Sequence, residues 1–362
     1  MVAISKDYVD INSISLSQAR EFVDFHNSFY GTQRKPAHWI WQYKHYEPAK
    51  AVFTIARDKG KLIGTQAMMP VYMKIGEKCI LTGKSENTLL LPEYRGKNIM
   101  NDLYEYAIDL CKERDFEFIW GFTSAIKAFR KLGFSVYPLI EIYNKPGLNF
   151  LVNLTYRFKK SHPLWLRIAS MGKYVLHYLK NIRHLTIPNI QQQSDYQVSK
   201  TIINIPQINN LQDKLNAKYK SIITPYIDSR YIDWRIRKHP FLKYQEYQVL
   251  KKGILQAYAF VVLGEETVSI SDLASGDEHS TSILLHRIIT DNIIKSGQFN
   301  ILLNPKYVAG QNTIKICNKF GFYPLHSTSN LVVRDISGNK LEEIVKVERW
   351  NITGIWTEGY SM

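Results

Sequence analysis

The chain repeats itself. W-Q-Y-K-H-Y-E-P, Trp41 to Pro48, precedes an apolar run V-F-T-I-A-R, a turn D-K-G-K and a second run L-I-G-T-Q-A-M; W-R-I-R-K-H-P, Trp234 to Pro240, precedes Y-Q-E-Y-Q-V-L, K-K-G and I-L-Q-A-Y-A-F-V-V. A Lys-Gly turn between two such runs reads as a β-hairpin. Further on, F-E-F-I-W-G-F and A-I-K-A-F-R-K-L-G-F are matched by F-N-I-L-L-N-P and N-T-I-K-I-C-N-K-F-G-F. Trp41 to Gly133 is 92 residues and Trp234 to Gly321 is 87. The same elements in the same order at similar spacing predict an internal duplication, two copies of one domain.

Within each copy the order is helix, antiparallel strands, then strand, helix, strand, helix. That order predicts an α/β fold of the α+β kind, a mixed sheet with helices on both faces. In the first copy Met100, Leu103, Tyr104, Ala107, Leu110 and Cys111 fall on one face of a helix, between strands Asn87 to Leu91 and Phe116 to Phe122. The connection into that helix, P-E-Y-R-G-K-N-I-M-N-D-L, therefore lies at the carboxyl ends of two neighbouring parallel strands, where open α/β sheets bind ligands. N–H groups at a helix start lack intrahelical partners and, with the helix dipole and nearby cations, hold anions. The alternative is a plain connector.

With 362 residues, 45% hydrophobic and 22% charged, the chain is long enough for two cores. Its formal net charge of +15 points to polyanionic partners without choosing among them. Cys79, Cys111 and Cys317 are odd in number and form no C-x-x-C pair, so neither a disulfide framework nor a zinc site is expected and a reducing cytoplasm fits. The start M-V-A-I-S-K-D-Y-V-D has no long apolar core and no run reaches the ~18 apolar residues that span a bilayer, so membrane contact is expected to be peripheral at most. From Ile142 to Ser194 there is no Asp or Glu. Leu164, Ile168, Met171, Val175, Tyr178, Leu179, Ile182 and Leu185 recur there at helical steps, opposite Lys173, His177, Lys180, Arg183 and His184. Such a helix either packs its apolar stripe on a neighbouring domain or lies on a polyanionic surface. The expected division is a first domain at 1–150, a basic helical linker at 151–195 ending in Q-Q-Q-S-D, and a second domain at 196–362.

L-L-L-P-E-Y-R-G-K-N-I-M-N-D-L followed by A-I-K-A-F-R-K-L-G-F resembles the GNAT superfamily of acyl-CoA-dependent N-acyltransferases, with its strand, R/Q-x-x-G-x-G/A loop, helix, strand and closing helix ending in K-x-G-F. The duplication and the tail R-W-N-I-T-G are similar to tandem members. Arg95 stands at the R/Q position, while Asn98 and Met100 stand at the two glycine positions; Asn tolerates the left-handed backbone better than most residues. The resemblance implies a pyrophosphate of acetyl-CoA or another acyl-CoA held by Arg95, Gly96, Lys97, Asn98, Ile99 and Met100. It implies a pantetheine arm along Leu89, Leu90 and Leu91, with the backbones of Leu89 and Leu91 bonding its amides and the Leu89 N–H as candidate oxyanion donor. Many members carry a tyrosine acid where Phe129 stands; Tyr137 and Tyr143 are the candidates to replace it, and Glu86 and Glu141 are candidate bases. The acceptor is expected to be a small primary amine, an amino sugar among the possibilities, with no metal and nucleic acid an improbable partner. An aminoacyl-tRNA-dependent transferase and a non-catalytic acyl-CoA-binding protein are the alternatives. In the second copy the matching turn A-S-G-D-E-H-S-T-S places Asp277 and Glu278 where an anion would lie, so that copy is expected to bind no cofactor; a helix start capped by Ser280 or Ser282 accounts for the same residues.

Overall fold

A computed structural model describes residues 4–47, 49–138, 141–147, 187–188, 190, 194–219, 222–265, 267–325, 329–338, 344 and 346–356. The expected basic helix and most of the linker lie outside these residues. The chain forms two compact units: Met1–Pro138 with Ser221–Phe241 and Thr328–Val347, and Leu139–Lys220 with Leu242–Ser327 and Glu348–Met362.

The first unit runs β1 (Ser5–Tyr8), α1 (Leu16–Tyr30), α2 (Pro36–Lys44), β2 (Val52–Asp58), β3 (Lys61–Ile75), β4 (Lys78–Leu90), α3 (Ile99–Lys112), β5 (Phe118–Thr123), α4 (Ile126–Lys131) and β6 (Ser135–Pro138). α1 begins in a capping box between Ser15 and Gln18 and stops at Gly31, in the left-handed region. The β2–β3 hairpin turns through Lys59 and Gly60, both at positive φ, as a two-residue turn that follows the sheet twist requires. The sheet order is β1-β2-β3-β4-β5, then the strand Asn330–Asp335, then β6, with Ile223–Pro225 beside β3. Only β4 and β5 run parallel among these pairs. α3 buries Ile99, Leu103, Tyr104, Ala107, Ile108 and Cys111, the expected face with Ile99 and Ile108 in place of Met100 and Leu110, which pack partly buried against the same core.

β4 starts well before the expected Asn87 because its polar residues are satisfied inside: Thr82 accepts from the Trp120 indole at 3.0 Å, and Lys84 pairs with Glu86. A strand that buries paired polar groups hides its apolar alternation.

The second unit repeats this plan. Its sheet order is Tyr323–Leu325, Glu141–Pro146, Gln298–Leu303, Thr267–Ser275, Ile254–Leu263, Tyr244–Lys251, Tyr196–Ser199. Thr267–Ser275 and Gln298–Leu303 are its parallel pair, joined through the helix Glu278–Asn292. Lys252 and Gly253 make its hairpin turn at positive φ, as Lys59 and Gly60 do in the first. One exchange departs from simple tandem copies. The strand Glu141–Pro146, from the first half of the sequence, pairs with Gln298–Leu303 in the second unit's sheet; Asn330–Asp335, from the second half, lies between β5 and β6 in the first unit's sheet. The first unit also holds both repeat tryptophans. Their rings stack with centroids 5.2 Å apart, the Trp41 indole donates to the Trp234 carbonyl at 3.1 Å, and the Trp234 indole donates to the Trp41 carbonyl at 2.8 Å. Among the described residues no helix is long and apolar enough to cross a membrane.

Candidate active site

The parallel register of β4 and β5 runs Thr82↔Phe118, Gly83↔Ile119 and Lys84↔Trp120, and stops there, while β4 continues to Leu90. Gly121 marks the parting: a Cβ on it would meet the Ser85 carbonyl oxygen at 3.0 Å. Past that point β4 bulges, its register with β3 shifting between Thr65 and Ala67 and Asn87 taking φ 49. A bulge adds a residue, bends the strand and re-aims the residues beyond it. A polar network fixes this one: the Thr88 hydroxyl donates to Gln66 Oε1 at 2.5 Å, the Gln66 amide donates to Ser85 Oγ at 3.2 Å, and Ser85 Oγ is bonded to the Tyr104 hydroxyl. Tyr104 is fully buried and burial pushes its phenol up to about 12. Beyond the bulge the Leu91 N–H donates to the Ile63 carbonyl at 2.9 Å. Antiparallel pairs alternate, so with Leu90 opposite Gly64 and Leu89 opposite Thr65, Leu89 also turns its backbone groups to β3. The groups of β4 directed toward the β5 side are those of Thr88 and Leu90. The N–H of Leu89, the expected oxyanion donor, thus faces β3, and that of Leu90 faces the β5 side, because the bulge sets the phase of the alternation.

After Leu91 the single turn Pro92–Tyr94 leads to Arg95, then Gly96 at φ 78, with open space where a Cβ would stand, and Asn98 at φ 63, the residue before α3. Asn98 occupies the left-handed conformation that its glycine-like position requires. Its amide donates to the Asp102 carboxylate at 3.1 Å and caps no backbone group. The N–H groups of Gly96, Lys97, Asn98, Ile99, Met100 and Asn101 accordingly have no protein acceptor among the described residues. Arg95 and Lys97 are exposed beside them, the Lys97 ammonium 5.1 Å over the Tyr94 ring, and the Tyr94 hydroxyl ties the turn to Asp58 at 2.7 Å. Ile99 is buried and Met100 packs partly buried against the core under α3. Unpaired N–H groups, a helix dipole and two cations are the chemistry that can hold an anion.

Glu86 is 5% exposed; one carboxylate oxygen pairs with Lys84 and the other accepts from the Gln42 amide. Both of its oxygens are occupied, which does not suit a base. Phe129 is buried against Tyr104 and Phe134 in the core below α3. Tyr137 is half-buried on β6, two strands from β5. Tyr143 and Glu141 lie in the second unit's sheet, where the Tyr143 hydroxyl donates to Glu141 at 3.0 Å; burial and that carboxylate raise the Tyr143 phenol above its ordinary range. The loop and the end of β4 are thus together, and the two candidate tyrosines belong to different units. A crevice between α1, α2 and the ends of β3 and β4, lined by His26, Arg34, Trp39, Gln42, Asn87 and Leu89 among others, has no counterpart among the residues singled out from the sequence. Its residues come from α1, α2, the loop between them and three strands, and no local motif joins them.

Residues 10–137 match the acetyltransferase (GNAT) domain family. The whole chain has the tandem GNAT fold: a tandem GNAT protein from the clavulanic acid biosynthesis pathway aligns over 92% of this chain and 99% of its own at TM-score 0.58 and 12% identity. A GCN5-related N-acetyltransferase from Anabaena variabilis aligns over 92% of this chain and 73% of its own, at TM-score 0.59 and 12% identity. An N-myristoyltransferase from Saccharomyces cerevisiae, solved with bound myristoyl-CoA, aligns over 92% and 79% at TM-score 0.58 and 12% identity. By sequence, no curated protein matches.

In the second GNAT-like unit the turn at the equivalent helix start is built differently. Asp277 is itself the cap, rather than Ser280 or Ser282: its carboxylate accepts from the Ser280 N–H at 2.8 Å and from the Ser280 hydroxyl at 2.7 Å. Glu278 is in the first turn, 3.5 Å from the Lys315 ammonium. Acids near a helix N-terminus stabilise it and occupy the field that an external anion would otherwise use.

Proposed function

We propose that the first GNAT domain binds acetyl-CoA or another acyl-CoA and transfers its acyl group to a primary amine. The observation that carries this reading is the row of unpaired N–H groups from Gly96 to Asn101, flanked by Arg95 and Lys97, at the mouth of the gap where β4 leaves β5. A diphosphate wants convergent N–H donors and cations, and both are there. The edge of β4 at Thr88 and Leu90 offers backbone groups for the pantetheine amides, and the Leu90 N–H is placed to steady a thioester oxyanion. A thiolate is a stable leaving group, so the vacancy at Phe129 costs the reaction little. An aminoacyl-tRNA donor would draw on the net charge of +15 but would leave this loop without a role. The test is incubation of the full chain with acetyl-CoA and a library of amines while following free thiol, with calorimetric titration of coenzyme A alongside. Amine-dependent thiol release with one coenzyme A bound per chain is expected; absence of coenzyme A binding would sink the proposal.

A further inference from the structure

The gap between β4 and β5 closes at Ser85, the first residue of β4 beyond the paired register. Beside it Gly121 has no side chain, and a Cβ there would stand 3.3 Å from the Ser85 Cβ, so the glycine leaves that flank of the serine bare. Ser85 is half-buried, whereas Lys84 and Glu86 on either side are buried. Side chains alternate along a strand, so that ion pair lies on the opposite face and Ser85 lies on the face of α3, bonded to Tyr104.

The protons around Ser85 Oγ can be counted. Thr88 gives its proton to Gln66 Oε1 at 2.5 Å, and the Gln66 amide donates to Ser85 Oγ at 3.2 Å. Tyr104 is fully buried, with the Phe129 and Phe134 rings edge-on at centroid distances of 5.8 and 5.7 Å, so its proton goes to the polar side, to Ser85 Oγ. Burial also holds that proton on, pushing the phenol up to about 12. Ser85 Oγ thus accepts twice, which uses both lone pairs and leaves its own proton. The Thr88 oxygen is 3.4 Å away, beyond the usual reach of an O–H···O bond. The cluster therefore leaves one O–H donor for the gap.

On the acyl-CoA reading the diphosphate lies at the mouth, at residues 96–101, and the pantetheine arm runs inward along β4, so the group that reaches Ser85 is the thioester. We propose that Ser85 donates a hydrogen bond to the thioester sulfur as it becomes a thiolate, and that Tyr104 is the positioning residue that turns the Ser85 hydroxyl outward. The inference rests on that reading. A thiolate departs without an acid, but a donor beside it still steadies the charge, and none comes from Phe129. The amine, having lost one proton to solvent, attacks the thioester carbonyl; the C–N bond forms, and the C–S bond then breaks with its electron pair going to sulfur. Ser85 shares its proton with that sulfur and keeps it, because a serine hydroxyl is far less acidic than a thiol. The proton that ends on coenzyme A comes from the nitrogen.

The test is calorimetric titration of the full chain with coenzyme A, and with desulfo-coenzyme A as control, between about pH 7 and 9.5, across the ordinary thiol value of about 8.5. A donor to the thiolate lowers the pKa of the bound thiol, so coenzyme A should gain affinity over the control as pH rises, about tenfold for each unit of lowering. The wild type should gain about fivefold or more. Ser85→Ala combined with Tyr104→Phe, which leaves no phenol without an acceptor, should gain none, and Tyr104→Phe alone should gain less than the wild type. With acetyl-CoA and an accepted amine, the double variant should lower kcat about tenfold while KM for acetyl-CoA stays within about twofold, and Ser85→Thr, which keeps the hydroxyl, should recover most of the rate. Coenzyme A that fails to bind defeats the acyl-CoA reading and this inference with it. Coenzyme A that binds with no gain over the control as pH rises, a double variant with wild-type kcat, or Ser85→Thr as slow as the double variant would each overturn this inference alone.

Discussion

Changing Glu86 to Gln tests what the carboxylate inside the first unit is for. The side chains of Lys84 and Glu86 are 6% and 3% exposed, so the pair is almost wholly out of water. Removing the acid leaves the Lys84 ammonium buried without its counter-ion, which costs about 3–5 kcal/mol when one partner of such a pair is deleted. The escape route, surrendering the proton, is no cheaper at pH 7, about 4.6 kcal/mol for a lysine of ordinary basicity. Urea unfolding of Glu86→Gln should therefore show a loss of about 3–5 kcal/mol at pH 7. The double variant Lys84→Met with Glu86→Gln removes both charges and should recover most of it, because an apolar replacement of a buried pair is often neutral or better. If the pair is structural, the double variant also keeps the proposed acyl transfer; if Glu86 is the base, stability returns while transfer stays down by ~10²–10⁴. A single variant that loses under about 1 kcal/mol would refute the reasoning, since burial of this kind leaves no inexpensive way to hold an ammonium whose carboxylate is gone.

At the loop, Arg95→Glu should weaken coenzyme A binding by about 2 kcal/mol or more through loss of a charge-assisted bond and gain of repulsion, read by calorimetry; an unchanged affinity in a folded variant removes the anion site. In the second unit, burial raises Asp272 to about 6, with the Tyr258 hydroxyl donating to it at 3.2 Å. The folded state therefore keeps a proton that the unfolded chain releases near pH 4, and stability should fall as pH rises from about 4 to 6 by up to about 3 kcal/mol. Asp272→Asn should flatten that slope in denaturant titrations at a series of pH values, and a slope that persists would contradict it. Trp234→Phe keeps the stacked ring but deletes the donor to the Trp41 carbonyl, and should lower thermal stability by about 1–3 kcal/mol; no change would mean that the reciprocal bonds are incidental.

What the sequence displayed was whatever local chemistry writes down. The two Lys-Gly turns fixed both hairpins because positive φ at consecutive positions has few residue solutions, and α3 showed its face because its packing is periodic. Residues 87–91 read as a strand only where they are apolar, and the earlier length of β4 stayed hidden behind Thr82, Lys84 and Glu86, whose partners are distant in sequence. Tyr104 looked like a core residue, and its ring is one, but its hydroxyl belongs to the network that shapes the bulge. Which of Leu89 and Leu90 turns its N–H toward β5 depends on that bulge, a one-residue matter that alternation of side chains does not report. Arg34, Trp39 and Asn87 carry no local signal for a similar reason: each is ordinary alone, and only folding puts their unpaired atoms around one crevice.

The exchanged strand sets the timetable of folding on the ribosome. β5 and β6 emerge early, yet the strand that separates them in the finished sheet, Asn330–Asp335, is synthesised some two hundred residues later. Until then the flank of β5, with Trp120, Gly121 and Phe122, is an unpaired edge able to template the wrong neighbour. A nascent chain stalled before residue 335 therefore cannot finish the sheet of its first unit. Cutting the gene at the boundary between its two repeats should give fragments that aggregate when made apart and assemble when made together, each supplying the other's missing strand.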